Sequence, residues 1–153
     1  MDSLDRTILG ALAENARTPY AQIAKQLGVA TATVHQRMKR LRESGVVRGF
    51  RLELDWAAVG LPVAAVISIR STSEKSLYDI ADDLRSLPYV ASCVAVTGEF
   101  DLFATVRAHS SDHLGEVVDQ IRRLAKGSTR TVVVLKTYFL GVTPPLGGDP
   151  DAG

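Results

Sequence analysis

Between Thr31 and Glu43 the chain carries side chains that hydrogen-bond base edges and phosphate oxygens. If this segment is a helix with Val34 turned inward, at about 100° per residue, Met38 and Leu41 fall on the inward side. Ala32, Gln36, Lys39, Arg40 and Glu43 then face outward, with Thr33, His35 and Arg37 on the flanks. Gln suits adenine, Arg or Lys suits guanine, and Thr or Ala meets the thymine methyl in a major groove. Thr31, Ala32, Thr33, His35 and Gln36 are therefore expected over bases, Lys39 and Arg40 near bases or backbone, and Arg37 at the flank. Arg48 and Arg51, just beyond, would hold phosphates, which position a protein without conveying sequence. The competing reading is a charged face that is simply solvated.

The elements around this face favour the first reading. Leu4, Ile8, Leu9 and Leu12 make a helical stripe behind the cap candidates Asp2 and Ser3. Thr18-Pro19 offers an N-cap and a first-turn proline. Ile23 and Leu27 mark a helix of about two turns, which Gly28 ends. The third helix runs from near Thr31 to Ser44, with Gly45 as its terminator. Val46 to Leu54 then alternates in a mixed pattern suited to a small hairpin. Three helices and a hairpin, with no acid in the third helix before Glu43, make a winged helix-turn-helix over residues 1–55.

From Pro62 the pattern changes. A strand from Val63 to Ile69 precedes a helix from Glu74 to Leu87 carrying Leu77, Ile80, Ala81, Leu84 and Leu87. Strands Tyr89 to Thr97 and Leu102 to Ala108 lead to a second helix with Leu114, Val117, Val118, Ile121 and Leu124 at the same offsets, and a last strand spans Thr131 to Leu140. This βαββαβ order predicts an α+β, ferredoxin-like domain over residues 62–141. Residues 56–61 form the linker, and 142–153, rich in Pro and Gly, a flexible tail.

Such a sheet has helices on one face only. In the last strand Thr131, Val133, Leu135, Thr137 and Phe139 alternate with Val132, Val134, Lys136, Tyr138 and Leu140; in the third, Leu102, Ala104 and Val106 alternate with Phe103, Thr105 and Arg107. Both sets hold bulky apolar groups, so the open face is expected to be buried against a second subunit.

The composition bounds the remaining possibilities. At 153 residues, 46% hydrophobic and 23% charged, the chain should fold. Its formal charge of +1 hides a segregation: residues 25–51 hold seven bases and one acid, the rest 11 bases and 16 acids. Lone Cys93 precludes an internal disulfide and suits a reducing compartment, where a small buried side chain is the ordinary role. His109 and His113 flank a helix start capped by Ser110 and have no nearby third ligand, so surface histidines are expected rather than a metal site. Trp56 is expected to anchor the linker. The apolar run Trp56 to Ile67 is too short to span a bilayer. With acids at Asp2 and Asp5, no signal peptide is visible. Neither a membrane partner, a cofactor, a metal nor a catalytic group is called for.

The runs Leu4-Asp5 to Ile8-Leu9, Asn15-Ala16-Arg17, Gln22-Ile23-Ala24, Gly28-Val29, Thr33 to Leu41 and Gly45 to Phe50 closely resemble the N-terminal domain of the Lrp/AsnC (feast/famine) transcriptional regulators. The similarity continues through a βαββαβ (RAM-type) domain with a Gly98-Glu99-Phe100-Asp101 loop, covering roughly residues 1–142. From spacing alone that loop is a hairpin turn holding two acids. The resemblance implies an effector site there, with glycine amides for a carboxylate, Asp101 or Glu99 for an ammonium, and an amino acid as the default ligand.

It also implies a homodimer, assembling further into tetramers or octamers, on a pseudo-palindromic site in double-stranded DNA, in a cytoplasmic, nucleoid-associated setting. Two departures stand out. Ala30 replaces the family's usual Ser, which would pass capping of the recognition helix to Thr31. Phe100 replaces the usual Tyr and has no hydroxyl for a ligand. The alternatives are an architectural DNA-binding protein without effector and an enzyme resembling sirohaem decarboxylases, for which only His35, His109 and His113 are available.

Overall fold

The structure is a computed structural model that describes residues 1–141, 143, 144 and 146. It divides into two compact units, Met1–Leu52 with the described stretch from Phe139, and Glu53–Tyr138. Most of the expected tail, 142–153, lies outside the described residues.

The first unit is a three-helix arrangement of α1 (Ser3–Glu14), α2 (Tyr20–Leu27) and α3 (Thr31–Glu43). Ile8, Leu12, Ile23, Ala24, Val34, Met38 and Leu41 are its buried core. Asp2 caps α1 in a reciprocal box: its Oδ1 accepts the Asp5 N–H (2.9 Å) and Asp5 Oδ2 accepts the Asp2 N–H (3.0 Å). Gly28 closes α2 in the left-handed region at φ 66°, where glycine carries no side-chain penalty.

Both other cap expectations are corrected. Pro19 at ψ 137° is the N-cap of α2 rather than its first helical residue, so Thr18 stands one position too early to cap. Ala30 is the N-cap of α3, and Thr31 is already helical, so no side chain caps that helix.

The expected hairpin is also corrected. Residues 46–54 contain no strand; they continue irregularly after Val47 N–H bonds back to the Leu41 carbonyl (3.0 Å). The mixed alternation gives neither arm a buried face, and Arg42 over the Phe50 ring (5.5 Å) fixes the segment instead.

The second unit runs β1 (Val63–Ser71), α4 (Leu77–Arg85), β2 (Val90–Ala95), β3 (Leu102–Ala108), α5 (Ser111–Ala125) and β4 (Gly127–Val133). Its antiparallel sheet has the order β2-β3-β1-β4, the expected ferredoxin-like topology. Cross-strand partners share a face, so Ile67, Ile69, Leu102, Ala104 and Val106 form the buried side beneath Ile80, Leu84, Val117 and Ile121. Val94, Phe103, Ser68 and Arg130 share the opposite face, as do Val66, Thr105 and Val132. There Val94 and Val132 are each 54% exposed and Phe103 38%, so a contiguous apolar surface is left uncovered within the unit.

Element boundaries differ from expectation throughout this unit, and β1 runs on to Ser71 rather than ending at Ile69. α4 starts at Leu77, not Glu74, because Ser76 is the cap and accepts the Asp79 N–H (3.2 Å); it ends at Arg85, before Pro88. β2 is confined to Val90–Ala95. β4 begins earlier and stops at Val133 rather than Leu140, because its partner β1 starts at Val63 and the ladder runs out at Ala65↔Val133, followed by one bond from Val134 N–H to the Ala64 carbonyl.

Candidate functional site

α3 is built to hold one face in and show the other. Val34, Met38 and Leu41 are buried, while Thr31, Ala32, His35, Gln36, Lys39 and Arg40 are exposed and Thr33 and Arg37 half-buried. Having no side-chain cap, the first turn leaves backbone N–H groups open to an outside acceptor. His35 sits edge-on to the Tyr20 ring at 4.8 Å, tying the outer surface of α3 to α2. Lys39 Nζ lies 3.8 Å from Glu43, an exposed pair of little energetic weight. Arg48 and Arg51 are both exposed on the irregular segment after α3.

Sequence reasoning missed the partners of two of these cations. Arg37 Nη1 bonds to Asp2 Oδ2 and to Asp5 Oδ1 (3.2 Å), and Arg40 Nη2 lies 2.8 and 3.1 Å from the two Asp5 oxygens. Asp5 is fully buried. The partners are more than 30 residues apart along the chain, so periodicity does not join them; the available signal is the pair of acids Asp2 and Asp5, of which only Asp2 is a cap candidate in the sequence.

The Asp5 N–H and the Arg37 guanidinium lower the Asp2 carboxyl from its ordinary 3.8 to about 2. A depressed carboxyl pKa contributes stability above the unfolded value and loses it as pH falls through the folded one. Asp2→Asn keeps a good N-cap and removes the charge together with the acceptor oxygen that Arg37 uses. Its deficit in Tm against wild type is therefore expected to be full above pH 3.8 and to close as pH falls to about 2, followed by thermal denaturation across that range.

The second candidate site is the turn between β2 and β3. Gly98 takes φ 115°, which favours glycine. Asp101 Oδ2 accepts the Ser71 N–H (2.9 Å), its N–H bonds the Ile69 carbonyl (2.9 Å), and its carbonyl accepts the Val96 N–H (2.9 Å). One carboxylate oxygen of Asp101 thus fastens the turn to the end of β1. Glu99 is exposed, and its carbonyl accepts from Arg70 Nε (2.7 Å). Phe100 is half-buried, 6.4 Å from Phe103 and beneath the Arg130 guanidinium at 5.5 Å. Arg70 and Arg130 were not anticipated; they reach the turn from neighbouring strands, a proximity only the sheet register reveals. An open depression of ≈ 620 Å³ lined by Ala95, Val96, Thr97 and Phe103 adjoins the turn.

The histidines at the start of α5 serve packing. Ser110 is the cap, accepting the His113 N–H (3.2 Å). The two rings stack at 4.8 Å, with Tyr89 edge-on to both, and His109 places Nδ1 2.7 Å from the Gly60 carbonyl and Nε2 3.2 Å from the Tyr89 hydroxyl. Trp56 lies under the Arg107 guanidinium at 5.1 Å. Cys93 is half-buried against the core, and burial raises its thiol pKa. Among the described residues no group of three His, Cys, Asp or Glu side chains is arranged to hold a metal ion, and no helix is long and apolar enough to cross a membrane.

A helix-turn-helix unit with a polar, cationic outer helix, followed by a separate antiparallel α+β unit, is the architecture of a DNA-binding protein with a second module. Comparison with known proteins gives the family. Residues 1–42 match the AsnC-type helix-turn-helix domain and residues 64–143 the Lrp/AsnC ligand binding domain. The regulatory protein AsnC of Escherichia coli K12 is 34% identical over 95% of this chain and 97% of its own. The leucine response regulatory protein of Mycobacterium tuberculosis superposes with a TM-score of 0.86 at 28% identity, over 95% of this chain and 99% of that one. A feast or famine regulatory protein of the same organism, solved in complex with L-methionine, gives 0.89 at 28% identity, over 94% and 98%. The chain belongs to the Lrp/AsnC family of transcriptional regulators.

Proposed function

We propose that this chain is a sequence-specific regulator that reads DNA with the outward face of α3 and senses a small metabolite at the Gly98–Asp101 turn. The observation that carries the first part is the division of α3, with Val34, Met38 and Leu41 buried and Thr31, Ala32, His35, Gln36 and Lys39 exposed. Its N-terminal residues stand over bases, as in other helix-turn-helix proteins, and Thr33, Arg37 and Arg40 flank them. Arg48 and Arg51 contact phosphates. The uncovered apolar face around Val94, Phe103 and Val132 supports a homodimer, which presents two recognition helices to a pseudo-palindromic duplex. Dimers assemble further, to tetramers or octamers.

The effector reading rests on the Gly98–Asp101 turn and on the L-methionine complex of the relative. An amino acid is the ligand class it favours, its carboxylate meeting turn amides and its ammonium Glu99 or Asp101. Coupling between this ligand and DNA is reciprocal. No catalytic role is proposed; both ring nitrogens of His109 are engaged by protein groups, which does not favour a tetrapyrrole-binding enzyme. The protein acts in the cytoplasm, on the nucleoid.

The test is selection from a randomised duplex library at ~150 mM salt, paired with thermal-shift titration against the amino acids. A two-fold symmetric consensus and a Tm shift with at least one amino acid are expected. Selection without a consensus supports an architectural protein instead, and a consensus without any Tm shift removes the effector reading alone.

A further inference from the structure

We infer that Asp5 is a positioning residue for DNA recognition, holding the Arg40 guanidinium in a fixed orientation at the DNA-facing surface while Arg37 is withheld from it. This rests on the reading that α3 meets DNA. The geometry is specific. Asp5 is fully buried in α1, and its two oxygens accept four hydrogen bonds, one from the Asp2 N–H, one from Arg37 Nη1 and two from Arg40 Nη2. A carboxylate offers about four acceptor positions, so this one is saturated.

The two arginines are held differently. Arg37 shares one nitrogen between Asp2 and Asp5, and its side chain is only 27% exposed. Arg40 spends Nη2 alone on Asp5 and keeps 59% exposure, which leaves Nη1 and Nε as donors toward solvent. A free arginine loses substantial rotamer freedom on being fixed. Anchoring one end to a buried carboxylate removes much of that cost before DNA arrives. It also seats the two remaining donors, Nη1 and Nε, which point to opposite sides of the guanidinium, each for a single hydrogen bond to a base edge or phosphate oxygen.

Charge alone predicts the opposite outcome from positioning. Asp5→Asn removes a negative charge beneath the DNA-facing helix, so simple electrostatics raises affinity for every duplex. Loss of positioning lowers discrimination between duplexes. The measurement compares Kd for the duplex selected by the wild-type chain with Kd for a random duplex of equal length, at ~150 mM salt, with Tm recorded for each variant. For Asp5→Asn, the random-duplex affinity is expected to hold or rise while the selected-to-random ratio falls about tenfold. Arg40→Lys, which keeps the charge and loses the planar guanidinium seated on Asp5, should lower the ratio to a similar extent. The double variant should lose no more than either alone, since the two residues act as one unit.

Should Asp5→Asn fail to fold, Asp5→Glu carries the test, because Glu also serves at this position of a capping box. Its longer arm moves the guanidinium seat, so the ratio falls at unchanged random-duplex affinity. Equal changes in both affinities, an unchanged ratio, or additive losses in the double variant overturn the inference. A wild-type chain that prefers no duplex overturns the underlying reading itself, which a normal wild-type ratio with an unaffected variant does not.

Discussion

Phe103→Asp is expected to convert the proposed dimer to monomers and to remove most of its affinity for DNA. Phe103 pairs across the sheet with Ser68 on one side and Val94 on the other, and Val66, Thr105 and Val132 share its face. This face lies opposite α4 and α5, so the substitution leaves the unit's own core intact. An unpaired carboxylate buried at a subunit interface costs about 3 kcal/mol or more, which raises the dimer dissociation constant by about two orders of magnitude. Linking two binding heads multiplies affinity by about 10² to 10⁴, and that gain is lost with the dimer. Sedimentation of wild type and variant at equal concentration, followed by a DNA titration of each, checks both steps. A variant that sediments as wild type contradicts the proposed interface.

Gly127→Ala should have the largest effect on stability. A Cβ at this position would stand 1.9 Å from the Arg70 carbonyl oxygen and 2.9 Å from both Arg70 C and Ser71 Cα. All three are backbone atoms, so no rotamer change relieves the clash. The close approach follows from how α5 turns into β4: Lys126 takes φ 47°, the Ser71 hydroxyl donates to the Ala125 carbonyl (2.8 Å), and the Thr72 N–H bonds the Lys126 carbonyl (3.2 Å). Admitting a methyl means parting β1 from β4 at their last rung, Ser71↔Gly127. Overpacking of this kind costs about 3 kcal/mol, or roughly 10–20 °C in Tm for a unit of this size. Thermal denaturation monitored on the second unit checks it, and an unchanged midpoint would contradict the strand geometry.

The extent to which the sequence foretold the structure depends on whether a feature is set by its own residues or by a partner. The α3 stripe of Val34, Met38 and Leu41 and the α5 stripe of Leu114, Val117, Val118 and Ile121 were legible, because helical spacing alone decides which side chains share a face. The α+β order was legible for the same reason. The end of β4 was not: its alternation continues to Leu140, yet β1 supplies no partner beyond Ala64. The stretch 46–54 alternates as well, yet among the described residues no strand pairs with it. At the DNA-facing surface the residue types were legible, but the use of Arg37 and Arg40 was not. Their partners Asp2 and Asp5 belong to another helix, and only the packing of α1 against α3 unites them.

The charge distribution acquires a spatial meaning from these pairs. Residues 1–52 hold nine bases and four acids, residues 53–138 nine and 11, and residues 139–153 two acids and no base. The first unit is therefore cationic even after Asp2 and Asp5 are counted, and the second is anionic, which keeps attraction to the phosphate backbone on the unit that carries α3. Arg37 and Arg40 both tie α3 to α1, but only Arg37 is withheld, so the bases free to meet DNA are one fewer than the sequence total implies.

The central claim is that the outward face of α3 reads base sequence. Its most direct measurement is the ratio of dissociation constants for a random duplex and for the duplex selected by the chain itself, at ~150 mM salt. The account predicts a ratio of about 10³ or more, whereas a ratio near one would contradict it.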